Sequence, residues 1–290
     1  MELEHGIAET RERVRRARTS GATIGYMVTT GGLHSAHAQL LEALAQHADY
    51  LVVSNMPDMS CPISAGGVNH TTLQDALVCK GAGVSLLYAP SEMDVYGTDR
   101  ASLYNVTARG TTASVLCGRT RPHIYSNIAT HVLRMFNIVQ PDVAVFGEKD
   151  YQQFAVVRKM VADLNLPVTL LSVPTIRERD GLAMASRNRV LDANERALAP
   201  HLYVALDIVR QGIARGRTDY AELERQAAAH LIDHGLVLDY IETRRAADLE
   251  RPQAPDDELI VFGSAFLGGA RLVDTLRANG TQQGVRIWPY

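Results

Sequence analysis

Apolar runs of strand length alternate with amphipathic segments of helix length through the first half of this 290-residue chain, and that alternation constrains the fold more than any other feature. The stretch "ATIGYMVTTGG" reads as a strand entering a glycine turn, "SAHAQLLEALAQHAD" as a helix, and "YLVVSNM" as a β-branched, buried strand. Together they form a βαβ unit. The pattern recurs at "LQDALVCKGAG" then "VSLLYAP", at "IATHVLRMFNIVQ" then "DVAVFG", and at "YQQFAVVRKMVADLN" then "VTLLSVP". A helix, "ETRERVRRARTSG", ends at Gly21 ahead of the first strand. Such alternation predicts an α/β fold with a parallel sheet, helices on both faces, and a ligand in the crevice beyond the carboxyl ends of the strands. After residue 176 the texture changes to long Arg- and Ala-rich helical segments, followed by the strand-like "LDYIETR" and "ELIVFGSAFLGGARLVDT". Residues 1–176 are thus expected to form the larger domain and residues 177–290 a smaller α+β domain.

With 46% hydrophobic residues, the chain can bury a full core. Its net charge of -3 and pI near 6.4 provide no broad basic surface, which argues against nucleic acid and anionic membranes and for small-molecule partners. Three cysteines, Cys61, Cys79 and Cys117, are an odd number at wide spacing. They suggest neither a disulfide framework nor a zinc knuckle, and fit a reducing cytoplasm. The N-terminal segment mixes acidic and basic residues without an apolar targeting core, and no run approaches bilayer length.

Three features lie where an α/β protein keeps its ligand. In "GGLHSAHAQLL", His34 and His37 fall three apart on the first turn of a helix, where free backbone N–H groups and the helix dipole favour an anion. Gly31 and Gly32 before them let a nucleotide approach the backbone. Two histidines at that spacing are more often surface or structural residues than ligands, and no acidic or cysteine partner at zinc-like spacing accompanies them. In "DVAVFGEKDYQQ", a buried strand delivers Glu148, Lys149 and Asp150 at its carboxyl end. Lys149 is one of only three lysines, against 26 arginines, and a compact ammonium there suits a phosphoryl group. Asp150 suits a ribose hydroxyl or a magnesium ion, and a solvated charged turn is the other reading. In "RERDGLAMASRN", Gly181, Ser186 and Arg187 make a small cationic loop at the domain junction, able to close over a triphosphate or to serve as an ordinary turn and cap.

Taken in order and spacing, these motifs resemble the pantothenate synthetase (pantoate:β-alanine ligase) family of the HIGH-type nucleotidyltransferases. "LHSAH" is similar to the family's L-H-x-G-H, "GEKDYQQ" to its signature, "DGLAMASRN" to D-G-L-A-x-S-S-R-N, and "ARLVDT" to A-R-L-I-D-N. The resemblance implies a Rossmann-like active-site domain, a smaller C-terminal lid and a homodimer. It also implies an ATP-dependent ligase: a small carboxylic acid becomes an acyl adenylate, and an amine then takes the acyl group. On that resemblance, His34 and His37 contact the ATP phosphates, Lys149 the transferred region, and Ser186 and Arg187 the pyrophosphate side. Gly31 and Gly32 pass beside the nucleotide, Gly147 and Asp150 hold the ribose, and magnesium accompanies the triphosphate, with Asp150 its candidate protein ligand. Thr30, Asp58, Cys61, Arg121 and Gln153 fall on the acid side.

Departures from the family pattern cluster on that acid side. Thr30 stands at a methionine position, Asp58 at an asparagine, Cys61 at a glutamine and Ile124 at a histidine, while "NHT" and Ala76 replace Y-P-R and an aspartate. Ala36 and Ala185 stand at a glycine and a serine nearer the nucleotide. A buried hydroxyl deprived of its amide partner costs about 1–3 kcal/mol. The sequence therefore leaves open a relative that activates a different acid and passes it to a different amine. A catalytically silent ATP-binding protein is disfavoured by retention of His34, His37, Lys149, Asp150, Gln153, Ser186 and Arg187 together.

Overall fold

The structure, a computed structural model, describes residues 1–56, 73–99, 102–253, 257–279 and 284–290. In chain order it runs β1 (Glu2–Glu4), α1 (Ile7–Thr19), β2 (Ile24–Thr29), α2 (Ser35–Ala45), β3 (Tyr50–Asn55), α3 (Leu73–Gly81), β4 (Leu86–Tyr88), then the short helices α4 (Glu92–Tyr96), α5 (Thr111–Ser114) and α6 (Cys117–Thr120). There follow α7 (Ile124–Val139), β5 (Val143–Gly147), a single 3-10 turn (Glu148–Asp150), α8 (Tyr151–Asp163) and β6 (Thr169–Val173). A second 3-10 segment (Ser186–Val190) leads to α9 (Ala193–Leu198), α10 (His201–Ala214), α11 (Tyr220–Asp233), β7 (Val237–Arg245), β8 (Leu259–Leu267), β9 (Ala270–Arg277) and β10 (Arg286–Trp288).

Among the described residues the larger sheet has the order β1-β4-β3-β2-β5-β6-β10. Every pairing in it is parallel except that of β10 with β6. Strand order grows outward from β2 through β3 and β4, then resumes on the other side of β2 with β5 and β6. The switch between β2 and β5 leaves a crevice at their carboxyl ends, the position at which sheets of this type hold ligands. The expected parallel α/β sheet is therefore present, and the crevice lies between the Gly31-Gly32 turn and the Glu148–Asp150 turn.

Side-chain alternation explains why these strands read as continuous apolar runs. Tyr26, Val52, Ala144, Phe146 and Leu170 face one core, whereas Met27, Leu51, Val53, Val143, Val145 and Leu171 face the other. Successive residues point to opposite sides of a strand, so a sheet covered on both faces needs apolar residues at every position. One side is covered by α7 and α8 through Val132, Met135, Phe136 and Phe154, and the other by α2 and α3 through Leu41, Leu44 and Cys79.

The smaller antiparallel sheet, β7-β8-β9, carries α10 and α11 on one face, where Leu202, Leu206, Leu223 and Leu231 meet Val261 and Leu272. Its opposite face is also buried: Tyr240, Ile260 and Phe262 join the core of the first unit, and the Tyr151 and Phe262 rings pack edge-on at 6.1 Å. The helical run "NERALAPHLYVALDIVRQGIARG" is interrupted at Pro200, which has no N–H to continue α9 and instead precedes α10. Two edge strands went unanticipated. β1 and β10 have three residues each, too few to show a period, and β10 carries the end of the chain back onto the first sheet.

One buried ion pair links the units. Arg277 on β9 donates two hydrogen bonds to the Glu148 carboxylate, from Nε at 2.8 Å and Nη2 at 2.6 Å, with both side chains almost fully enclosed. Ser172 of β6 donates to the same carboxylate at 2.8 Å, and Thr275 donates to the Glu148 backbone carbonyl. Removing one member of such a pair strands the other charge in the interior. Arg277→Ala is expected to destabilise the fold by about 3–5 kcal/mol, measured by urea unfolding; a loss below about 1 kcal/mol contradicts this role for the pair.

Candidate active site

The turn that ends β2 is fixed from outside the strand. Gly31 and Gly32 adopt φ of +87° and +68°, a region that side chains rarely enter, and a Cβ on Gly31 would stand 3.0 Å from Asn55 Oδ1. The buried Asp75 carboxylate of α3 accepts from Leu33 N at 2.7 Å, Gly32 N at 3.3 Å and Asn55 Nδ2 at 3.3 Å. Asp75 thus anchors the loop that delivers both histidines. It was not singled out in the sequence, where "LQD" showed only a helix start.

His34 is the N-cap of α2, and the two imidazoles cap the helix reciprocally. His34 Nδ1 accepts from Ala36 N at 3.3 Å, while His37 Nδ1 accepts from His34 N at 3.2 Å. With Nδ1 accepting, the ring proton is assigned to Nε2, so each ring retains an Nε2–H to offer a ligand. The ring centroids are 4.2 Å apart. Burial, with help from Arg189 and Lys149, holds His34 below its ordinary value, and burial followed by the adjacent His34 brings His37 down to about 4. Both are neutral donors at neutral pH. The structural and ligand-binding readings of H-x-x-H are consequently compatible, because the two use different nitrogens of the same rings.

A cavity of about 360 Å³ occupies the crevice. On the side expected to hold the nucleotide it is lined by Gly31, His34, His37, Gly147, Lys149, Asp150, Ser186 and Arg187, and on the side expected to hold the acid by Thr30, Arg121 and Gln153. Ala36, Ile124 and Ala185, the substituted positions, also line it. Gly32 supports the turn instead, with its missing Cβ 3.4 Å from that of Ser186. Asp58 and Cys61 lie outside the described residues. Lys149 Nζ stands 3.5 Å from Asp150 Oδ1, with the lysine mostly enclosed and the aspartate 58% exposed. Glu148, which the sequence delivers beside them, faces Arg277 and does not line the cavity.

Several wall residues escaped the sequence reading. Gln152 spends its whole amide on the scaffold, accepting from Tyr125 OH at 2.7 Å and Cys117 N at 3.2 Å and donating to Thr112 O and Val115 O. Half-buried Gln153 beside it lines the cavity without that duty. From the smaller sheet, Arg271 reaches the same wall, held by Asp239 at 2.5 Å and by Cys117 Sγ at 3.3 Å, and Tyr240 OH lies 3.1 Å from that sulfur. Burial pushes the Tyr240 and Tyr125 phenols well up, so both remain protonated. Arg271 sits inside "ARLVDT", a motif quoted for resemblance without a role for any residue in it.

The parallel sheet, its switch point and a cationic cavity with two capping imidazoles define a Rossmann-like α/β protein of the nucleotide-handling class. Its sequence places it more narrowly: the chain belongs to the pantoate-beta-alanine ligase family, whose model matches residues 2–277. It is 41% identical over 276 residues to a pantothenate synthetase from Pseudomonas putida, covering 93% of this chain and 95% of that one. The crystal structure of pantothenate synthetase from Thermus thermophilus superimposes with a TM-score of 0.87 at 32% identity, over 97% of this chain and 100% of that chain. A Francisella tularensis pantoate-beta-alanine ligase, complexed with beta-gamma ATP and beta-alanine, shares the fold at 24% identity, with a TM-score of 0.78 over 98% and 100% of the two chains.

The depressed His37 value has a consequence for stability. The unfolded chain, with histidine at its ordinary 6.5, binds protons more readily than the folded one at about 4. Stability contributed by neutral His37 is therefore complete above pH 6.5 and is lost as pH falls toward 4, by at most about 3 kcal/mol. His37→Asn, which keeps a capping acceptor, should flatten that part of the urea-unfolding profile; identical slopes in variant and parent contradict the assignment.

Proposed function

We propose that this protein is an ATP-dependent ligase that joins pantoate to β-alanine through an acyl adenylate. The observation that carries the reading is the meeting of His34, His37, Lys149, Ser186 and Arg187, from three separate segments, around one cavity at the sheet's switch point. Family membership and the names of the relatives support the choice of substrates.

Such a reaction needs no protein nucleophile. The acid's carboxylate oxygen attacks the α-phosphorus of ATP and pyrophosphate departs; the amine nitrogen then attacks the acyl carbon and AMP departs with its phosphate. Negative charge gathers at phosphorus in the first step, and fixed donors aimed there lower the barrier. His34 and His37 supply directed Nε2–H donors to the phosphates, Lys149 a charge at the transferred centre, and Ser186 with Arg187 a hold on the pyrophosphate. Gly147 and Asp150 receive the ribose, and Thr30, Arg121 and Gln153 receive the acid. In this reading residues 1–176 form the catalytic unit and residues 177–290 a lid that brings Ser186 and Arg187 over it, except that β10 returns to complete the edge of the catalytic sheet.

Asp150 is the sole acidic residue lining the cavity among the described residues, and it faces solvent beside Lys149. One carboxylate does not build a metal cage but fits a magnesium ion held chiefly by phosphate oxygens. Bound there with ATP, magnesium neutralises triphosphate charge. Among the described residues no helix is long and apolar enough to cross a membrane, and we place the enzyme in the cytoplasm, which its cysteine usage fits, as a homodimer, which the family resemblance implies.

A different acid and amine, suggested by Cys61 and Ile124, is the reading the relatives do not favour: pantothenate synthetases match at 40–41% identity over nearly the whole chain. Pyrophosphate release with ATP and a panel of acids separates the cases. Release with pantoate is expected; release only with another acid, or with none, overturns the proposal. Lys149→Ala should lower the adenylation rate at least about tenfold, roughly 1.4 kcal/mol or more of lost transition-state stabilisation, with the circular dichroism spectrum unchanged; near-normal turnover removes the role assigned to Lys149.

A further inference from the structure

Three of the chain's ten histidines meet outside the cavity. His201 opens α10, while His230 and His234 come from the last turn of α11 and the residue after it. None of them lines the cavity. His201 Nδ1 is 3.0 Å from His230 Nε2, and the His234 ring stacks on His201 at 3.7 Å and lies 4.3 Å from His230. One ring nitrogen from each residue falls within 4.8 Å of the other two.

The local chemistry prepares these nitrogens for a cation. His234 Nδ1–H donates to the His230 backbone carbonyl at 2.7 Å, which fixes its tautomer and leaves the lone pair on Nε2. Metal-binding imidazoles are oriented in this way, by donating the far N–H to a carbonyl. His201 Nδ1 and His230 Nε2 share one proton across their 3.0 Å contact, and a cation bound between the rings would displace it. Tetrahedral zinc at 2.0–2.1 Å from nitrogen sets its ligands about 3.4 Å apart, close to the 3.0 Å His201–His230 separation, with a His234 nitrogen inside 4.8 Å of both. Asp233 adds a negative charge near His230. An all-imidazole set suits Zn²⁺, Cu²⁺ or Ni²⁺ and not the oxygen-seeking Mg²⁺.

We propose that His201, His230 and His234 form a binding site for a divalent transition-metal ion, zinc foremost, that ties the start of α10 to the end of α11, with water in the fourth position. The test uses full-length protein stripped by chelator dialysis and titrated with ZnCl₂ by calorimetry, and with Co²⁺ by visible spectroscopy. The parent is expected to bind one more zinc than His230→Ala or His234→Ala, and to show a tetrahedral Co²⁺ absorption that both variants lose. Any zinc taken up by His34 and His37 persists in all three proteins and cancels in the comparison. Zinc should also raise the parent's melting temperature by several degrees more than that of either variant. His201→Gln, milder than alanine, should weaken the site at least tenfold if the alanine variants fold poorly. Equal zinc stoichiometry in parent and variants, no zinc uptake by the parent, or a Co²⁺ spectrum indifferent to these substitutions overturns the proposal.

Discussion

A carboxylate enclosed at the end of β5 and a guanidinium reaching it from β9 hold the two parts of this protein in register. A buried carboxylate needs partners, and Glu148 receives them from Arg277 of β9 and Ser172 of β6, while Thr275 of β9 donates to its backbone carbonyl. That constraint reaches the chemistry directly, because Lys149 is the next residue in the same single turn. With Glu148 clamped toward the smaller sheet, the chain presents Lys149 and then Asp150 to the cavity. The same contact sets β9 against the crevice, so Arg271 and Thr275 become part of its wall.

On the other side of the crevice, the equivalent anchoring falls to Asp75. Its carboxylate gathers two N–H groups of the Gly31–Leu33 turn, and the glycine conformations that make the turn possible leave no room for a side chain against Asn55. Two loops from adjacent strands are thus each pinned by a buried carboxylate that takes no part in the reaction proposed here. Preorganised donors need such support, since a charge stabiliser that must first be positioned loses much of its effect.

The fold was legible because its signal is periodic. Strands buried on both faces produce unbroken apolar runs, and α7 and α8 have the length for their spacing to show. β1 and β10 escaped because three residues carry no period, and Pro200 marked a break that composition alone blurred. In the site, residues contributed by loops beside conspicuous glycines or a rare lysine were found: His34, His37, Lys149, Ser186 and Arg187 all reach the cavity. What stayed hidden depended on tertiary pairing. Nothing local distinguishes Glu148, which turns away to Arg277, from Asp150, which faces solvent, or Gln152, consumed by the scaffold, from Gln153 next to it. Arg271 lies in a different sheet, far along the chain from the Gly31–Gly32 and Glu148–Asp150 turns, and no spacing within its own strand announces the wall it joins.

The capping role of the histidines also decides what charge they bring. An anionic ligand would ordinarily raise the pKa of a nearby imidazole and recruit a proton. Here the proton would have to go to Nδ1, since Nε2 already carries one, and Nδ1 is the acceptor that caps α2 in each ring. Protonation would therefore break two helix-terminal hydrogen bonds and place like charges on rings 4.2 Å apart, beside Lys149. The arrangement keeps the pair neutral and directional, while permanent charge comes from Lys149, Arg121 and Arg187. Donor geometry and net charge are thereby assigned to different residues, and the site retains both across a pH range in which free histidine would titrate.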